Sequence, residues 1–158
     1  MALLFFAFNA AAINILSGKD FIPITITMND GQIKKGKVKD NFEPDKKITL
    51  ILDDGSTENL ESENVKEFVI ITSEGAMMTY ENVPYYKNNR KDIAAKPMFM
   101  MVMMPAPSPL RMYYWVPWKI AYGAGAAASM YNTTDFYARR EGESAATLLS
   151  SVMMGQAE

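Results

Sequence analysis

Between Ile22 and Ile71 the chain alternates apolar and polar residues in short runs and reverses on two Asp-Gly turns. Ile22, Ile24, Ile26 and Met28 alternate with Pro23, Thr25 and Thr27 before Asn29-Asp30-Gly31, and Ile48, Leu50 and Leu52 alternate before Asp53-Asp54-Gly55. A period of two sends successive side chains to opposite faces of a strand, and Asp-Gly supplies the positive φ that a tight hairpin requires. The spacing predicts strands at about 22–28, 32–39, 47–52, 56–60, 65–72 and 76–80. Connections this short favour an antiparallel meander. Gly36 falls inside the second strand, where a glycine marks a bulge or sharp bend, and a small sheet bent that sharply is expected to close on itself. The expected fold class is therefore mainly β: a small, strongly bent antiparallel barrel with an N-terminal helix or leader and a Met- and aromatic-rich C-terminal extension.

Composition divides the chain into residues 1–18, 19–92 and 93–158. The first segment is an apolar leader or a packed helix. Leu3 to Phe8 followed by Ala10-Ala11-Ala12 is like the core and cleavage region of a signal peptide. The lack of a preceding Lys or Arg fits instead a helix from Leu4 to Leu16, ending near Ser17-Gly18. A bilayer span needs about 20 continuous apolar residues, so no transmembrane helix is expected. The middle segment is the barrel, and Tyr85 to Lys96 reads as an exposed polar loop. The third segment has two further strands, Met98–Met104 and Leu110–Val116, separated by Pro105, Pro107 and Pro109. Gly123 and Ala127 allow close helix packing, and Ser144 is placed to cap a final helix over 145–154. Phe68 to Ile71 is apolar on both faces and predicts a central strand covered from outside by the first or third segment.

The chain has no histidine and no cysteine. That excludes thiolate and imidazole zinc sites, Ser–His–Asp and Cys–His nucleophiles, and haem with a His or Cys ligand. Sixteen basic and eighteen acidic residues leave a net charge of −2, which offers no general attraction to nucleic acid. Met98, Met100, Met101, Met103 and Met104 are soft ligands in principle, but no acidic, His or Cys partner accompanies them, and the run reads as adaptable packing. Asp53-Asp54-Gly55-Ser56-Thr57-Glu58 lacks the ligand spacing of a calcium loop and reads, like Asp30, as turn chemistry. Glu61, Glu63 and Glu67 read as a charged strand edge. No catalytic, cofactor-binding or metal-binding residue is expected, and no cofactor.

Two surfaces remain as candidates for binding. Tyr113, Tyr114, Trp115 and Trp118 offer aromatic anchors for a protein partner, or core if they are buried. Lys34, Lys35, Lys37, Lys46 and Lys47 could form a basic patch for nucleic acid, although Phe42 is the one aromatic near them and single-strand binding uses several stacking platforms.

At Gly31-Gln32-Ile33-Lys34-Lys35-Gly36-Lys37-Val38 the chain resembles the first motif of Sm-type small barrels, with Phe42-Glu43 near the place of that family's Phe–Asp pair. Lys46-Lys47 stands where those proteins carry a Met–Asn pair, and their second, Arg–Gly motif is not visible after Leu60, so the resemblance implies a bent barrel without RNA binding. With the leader before it and Asp135-Phe136-Tyr137-Ala138-Arg139-Arg140 after it, the same stretch is also similar to uncharacterised exported proteins of Bacteroidota. That resemblance implies a periplasmic or cell-envelope location and carries no defined activity. The expectation is a non-enzymatic interaction or structural module that meets a protein partner or itself. The alternative is a cytoplasmic, Sm-like nucleic-acid binder using the lysine face, with a carboxylate-dependent hydrolase ranked last.

Overall fold

The computed structural model describes residues 21–39, 42–72, 75–87, 92–104, 107–115 and 132–154. These hold twelve strands: β1 (Phe21–Met28), β2 (Ile33–Lys39), β3 (Lys47–Ile51), β4 (Thr57–Glu61), β5 (Val65–Ile71), β6 (Met77–Val83), β7 (Tyr86–Lys87), β8 (Asp92–Ile93), β9 (Met98–Val102), β10 (Leu110–Trp115), β11 (Asn132–Arg140) and β12 (Thr147–Met154). Ten of them form one antiparallel sheet in the order β12-β11-β10-β9-β6-β5-β1-β2-β3-β4, and β7 pairs with β8. Among the described residues the only helical element is a 3₁₀ turn at Ser62–Asn64, and no helix is long and apolar enough to cross a membrane. The expected helix at 4–16 and the close packing of Gly123 and Ala127 lie outside the described residues.

The turns follow from their residues. Gly31 and Gly55 hold φ of 87° and 82°, which costs an L side chain strain and glycine almost nothing. Each is preceded by an Asp that folds back on the turn: Asp30 Oδ1 accepts the Gln32 N–H at 2.9 Å, and Asp54 Oδ1 accepts the Ser56 N–H at 2.9 Å and its hydroxyl at 2.6 Å. Ser56's hydroxyl, then its backbone N–H, hold the Asp54 carboxyl below its ordinary pKa. These two carboxylates therefore serve as local turn acceptors.

The sheet is not a closed barrel among the described residues. β4 pairs with β3 alone, and after the 3₁₀ turn the chain lays β5 between β1 and β6. Both edges of β5 are thereby taken, so no edge is left there on which β4 could close. The β1–β5 end curls around one core instead. Ile22, Ile24, Ile26, Val38, Ile48, Leu50 and Leu60 surround Phe68, whose ring stacks on Tyr80 at 5.0 Å and meets Phe99 at 5.0 Å and Phe42 edge-on at 5.8 Å. Asn82 Nδ2 donates to the carbonyls of Ser62 and Val65, at 3.0 and 2.9 Å, and fixes the 3₁₀ turn against β6.

Among the described residues the third segment adds strands to the sheet edge-on through the β6–β9 ladder and contributes Phe99 and Met101 to the first core from beside it. Phe68 and Ile70 are buried, but Ile71 is 41% exposed, so β5 is covered on one face only, contrary to the two-sided burial its sequence suggests. A second core lies on the opposite face of β6, β9, β10 and β11: Val83, Met100, Tyr113 and Tyr137, with Ala146. Its cover is the polar excursion between β6 and β9. Tyr85 packs edge-on against Tyr137 at 6.0 Å and bridges to Ala146, and β7 and β8 pair within the stretch expected to be a bare loop. The expected helix over 145–154 is instead strand β12, held antiparallel along β11.

Gly36 is required by a close approach. A Cβ at this position would stand 2.3 Å from the Ile51 carbonyl oxygen and 2.9 Å from Leu50 Cδ1, where β2 crosses β3. Gly36→Ala is expected to destabilise the protein by about 1–3 kcal/mol, the usual scale of overpacking. Urea unfolding with an unchanged midpoint would contradict this contact.

Candidate functional site

The residues that come together most specifically are charged, and they border the second core. Arg111 of β10 and Arg139 of β11 are far apart in sequence but directly opposed across their ladder. Like charges in that relation repel and need an anion beside them. Glu81, on β6, supplies it by reaching across β9. Its Oε2 accepts from Arg111 Nη1, its Oε1 accepts from Arg139 Nη2 at 2.5 Å, and the Tyr113 hydroxyl donates to Oε2 at 3.3 Å. Arg139 also lies over the Tyr113 ring, 5.7 Å from its centroid.

Glu81 is a buried carboxylate, with 11% of its side chain exposed, while Arg111 and Arg139 keep 32% and 21%. Burial alone would lower the pKa of Arg111; the Glu81 charge, with help from Tyr113, holds it above its ordinary value. Burial, then the Glu81 charge, raises that of Tyr113. Two guanidinium groups against one carboxylate leave the cluster with one positive charge in excess. Arg111 and Arg139 form part of the wall of an open pocket of about 590 Å³ at this end of β10 and β11. Pro107, Ser108 and Pro109 line it from before β10, and Arg140, Glu141, Gly142 and Glu143 from the turn after β11. Arg140 is matched by Glu143 at 3.7 Å.

The aromatic residues expected at a binding surface separate. Tyr113 is fully buried in the second core, and Tyr114 is half-buried with its ring 5.6 Å from Phe136. Trp115 is half-buried, and its indole N–H is buried without a hydrogen-bond partner among the described residues. Trp118 lies outside the described residues. The lysines separate as well. Lys34 pairs with Glu58, Lys46 with Glu43 at 2.7 Å and Lys47 with Glu61 at 3.9 Å. Alternation along β2 places Lys35 and Lys37 on the face opposite Lys34. Of the expected acidic edge, Glu61 lies on edge strand β4, Glu63 meets Lys96 at 3.0 Å, and Glu67 is in the interior strand β5.

Glu81, Arg111 and Arg139 were not singled out by the sequence reading. The available signal was Arg111, the lone charge in a strand otherwise made of Leu, Met, Tyr and Trp, since such a charge needs a partner. Comparisons with protein-family models, curated proteins and solved structures find no match to this chain.

Removing the Glu81 charge should leave two opposed guanidinium groups unneutralised. Glu81→Gln is expected to cost about 2–3 kcal/mol, below the 3–5 kcal/mol of a fully buried pair because both arginines keep partial access to water. Denaturant titration of the variant checks this, and a loss below about 0.5 kcal/mol, the scale of an ordinary surface change, would contradict it.

A second expectation concerns alkaline pH. Burial, then the charge of Asp135 and the nearby Tyr85, push the Tyr137 hydroxyl up to about 12. An unfolded tyrosine titrates at about 10, so above that pH the unfolded chain has lost a proton that the folded chain keeps. The stability contributed is full below pH of about 10 and is lost as pH rises to about 12. The melting temperature should fall across that interval, and less steeply in Tyr137→Phe; parallel pH profiles would contradict the assignment.

Proposed function

We propose that the chain is a non-enzymatic interaction module of an exported protein, working in the periplasm or cell envelope and pairing with a second copy of itself along β12. The observation that carries this reading is the chemical contrast between the two edges of the sheet. An edge strand presents unpaired N–H and C=O groups, and monomeric proteins guard such edges with charge. β4 is guarded: Glu58 pairs with Lys34, and Glu61 faces Lys47. β12 carries no charged residue along Thr147–Met154, and Leu148 and Leu149 are 44% and 54% exposed.

The β12 sequence is also self-complementary. In an antiparallel pair centred between Ser150 and Ser151, Ser150 stands opposite Ser151, Leu149 opposite Val152, and Leu148 opposite Met153. A two-fold axis requires such a self-matching surface. A bulge on β12 between Leu148 and Ser150 sets Leu149 outside the ladder with β11 and adds to its exposure. The curled β1–β5 end serves as scaffold. The apolar leader and the likeness to exported proteins support the location. The nucleic-acid alternative gains nothing from lysines that already hold acidic partners at Lys34, Lys46 and Lys47.

Light scattering on a sizing column should show a dimer in the micromolar range, and Leu149→Lys or Leu148→Lys should make it monomeric without changing the spectrum of the folded sheet. A wild-type protein monomeric throughout that range, or variants that dimerise as well as the parent, would remove the β12 reading. Cell fractionation tests the location separately: recovery in the envelope or periplasmic fraction is expected, and full-length protein confined to the cytosol would overturn export.

A further inference from the structure

The pocket beside the opposed arginines has a floor that is held in place, carries surplus charge and is open to solvent. We propose that it is a binding site for a small organic monoanion, a carboxylate bearing hydroxyl or other donor groups. A guanidinium has five N–H donors in a fixed fork, and Glu81 is bonded through Nη1 of Arg111 and Nη2 of Arg139. Arg111 also bonds the Tyr113 hydroxyl; among the described residues the two guanidinium groups keep further N–H donors, and with 32% and 21% of their side chains exposed they line the pocket.

The planes of the two forks are fixed before a ligand arrives. Glu81 anchors both, and the Tyr113 ring supports Arg139. Pre-organisation of this kind reduces the entropy lost on binding, and a planar carboxylate matches the guanidinium fork. Arg140 contributes no net attraction because Glu143 neutralises it. The single excess of Arg111 and Arg139 over Glu81 is local to the floor, and Glu141 on the rim offsets it, so a ligand is drawn by the two forks and not by a net charge of the pocket.

The rim narrows the choice further. Glu141, on the rim of the same pocket, is an acceptor, so an anion that carries hydroxyl or ammonium donors meets it favourably, whereas inorganic phosphate meets it mainly as a like charge. Pro107 and Pro109 have no N–H and present apolar wall. A volume of about 590 Å³ suits a molecule of sugar or amino-acid size rather than a polymer.

Sodium glucuronate is a suitable probe, since it is a monoanion with hydroxyl groups, and glucose and inorganic phosphate at pH 8 are its controls. In an ¹⁵N–¹H titration, glucuronate should give saturable shifts confined to Ser108, Leu110, Arg111 and residues 139–143, glucose none, and phosphate weaker binding than glucuronate. Arg111→Lys and Arg139→Lys keep a charge for Glu81 but lose the fork, and each should weaken glucuronate at least about tenfold while the protein still melts cooperatively. Absence of saturable shifts in the wild-type protein, shifts centred elsewhere, phosphate binding as tight as glucuronate, or undiminished binding in both folded lysine variants would each overturn the proposal.

Discussion

The attachment of β10, β11 and β12 to the rest of the sheet rests on Glu81. Among the described residues, backbone pairing between β9 and β10 joins Tyr113 with Val102 and Tyr114 with Met101, extended by one bond from the Met103 N–H to the Met112 carbonyl at 2.9 Å. By contrast, β10 and β11 pair without interruption from Leu110 to Trp115. A short ladder resists twisting poorly. Glu81 compensates by binding side chains from β10 and β11 at once, so an ion-pair cluster fastens the distal strands to β6 across the weak junction. A buried charge is costly to desolvate and is retained where it is fully partnered, and here all three partners come from the strands being joined.

Strand β9 makes the second constraint. Phe99 and Met101 face the first core, whereas Met98, Met100 and Val102 face the second. One strand thus serves two cores on opposite faces of a single sheet. Methionine suits this position because its unbranched chain adapts to irregular gaps on either side. The methionine run therefore reads as packing at the point where the sheet changes its buried face. The polar stretch between β6 and β9 then has a use that its composition hides. It crosses to the second face, where Tyr85 covers Tyr137 and the Tyr86 N–H reaches the Ala146 carbonyl at 2.9 Å.

What was legible in the sequence was local. Alternation and Asp-Gly turns located β1 to β6 to within a few residues, and the proline-separated runs located β9 and β10. Ala145–Met154 was misread as helix because Ala, Leu and Met favour helix and the segment lacks alternation; over Thr147–Met154 pairing with β11 overrides that preference, as tertiary context commonly does. Closure was misread for a different reason. Gly36 does mark a tight spot, but whether a curled sheet closes depends on whether β5 has a free edge, and β6 pairs there in place of β4, a choice of partner that alternation along a strand does not encode. The Glu81 cluster was not legible because its members lie 30 and 58 positions apart and only the register of four strands brings them together.

The two surfaces with binding chemistry, the uncharged β12 edge and the arginine pocket, both belong to the distal strands. The β1–β5 end has its larger core enclosed, Lys34 of β2 and Lys47 of β3 matched by Glu58 and Glu61, and its β4 edge guarded by those glutamates. That division has a physical basis. A region with satisfied edges and a deep core supplies stability, while a thinner region fastened by an ion pair can leave an edge and two guanidinium groups incompletely satisfied. Loosening the Glu81 attachment would disturb the pocket floor directly, because the same carboxylate orients both arginines. It would reach β12 only through β11, across a ladder paired from Asn132 to Ala138. The pocket is therefore the more sensitive of the two surfaces to the state of the β6–β10 junction, and the β12 edge the more independent.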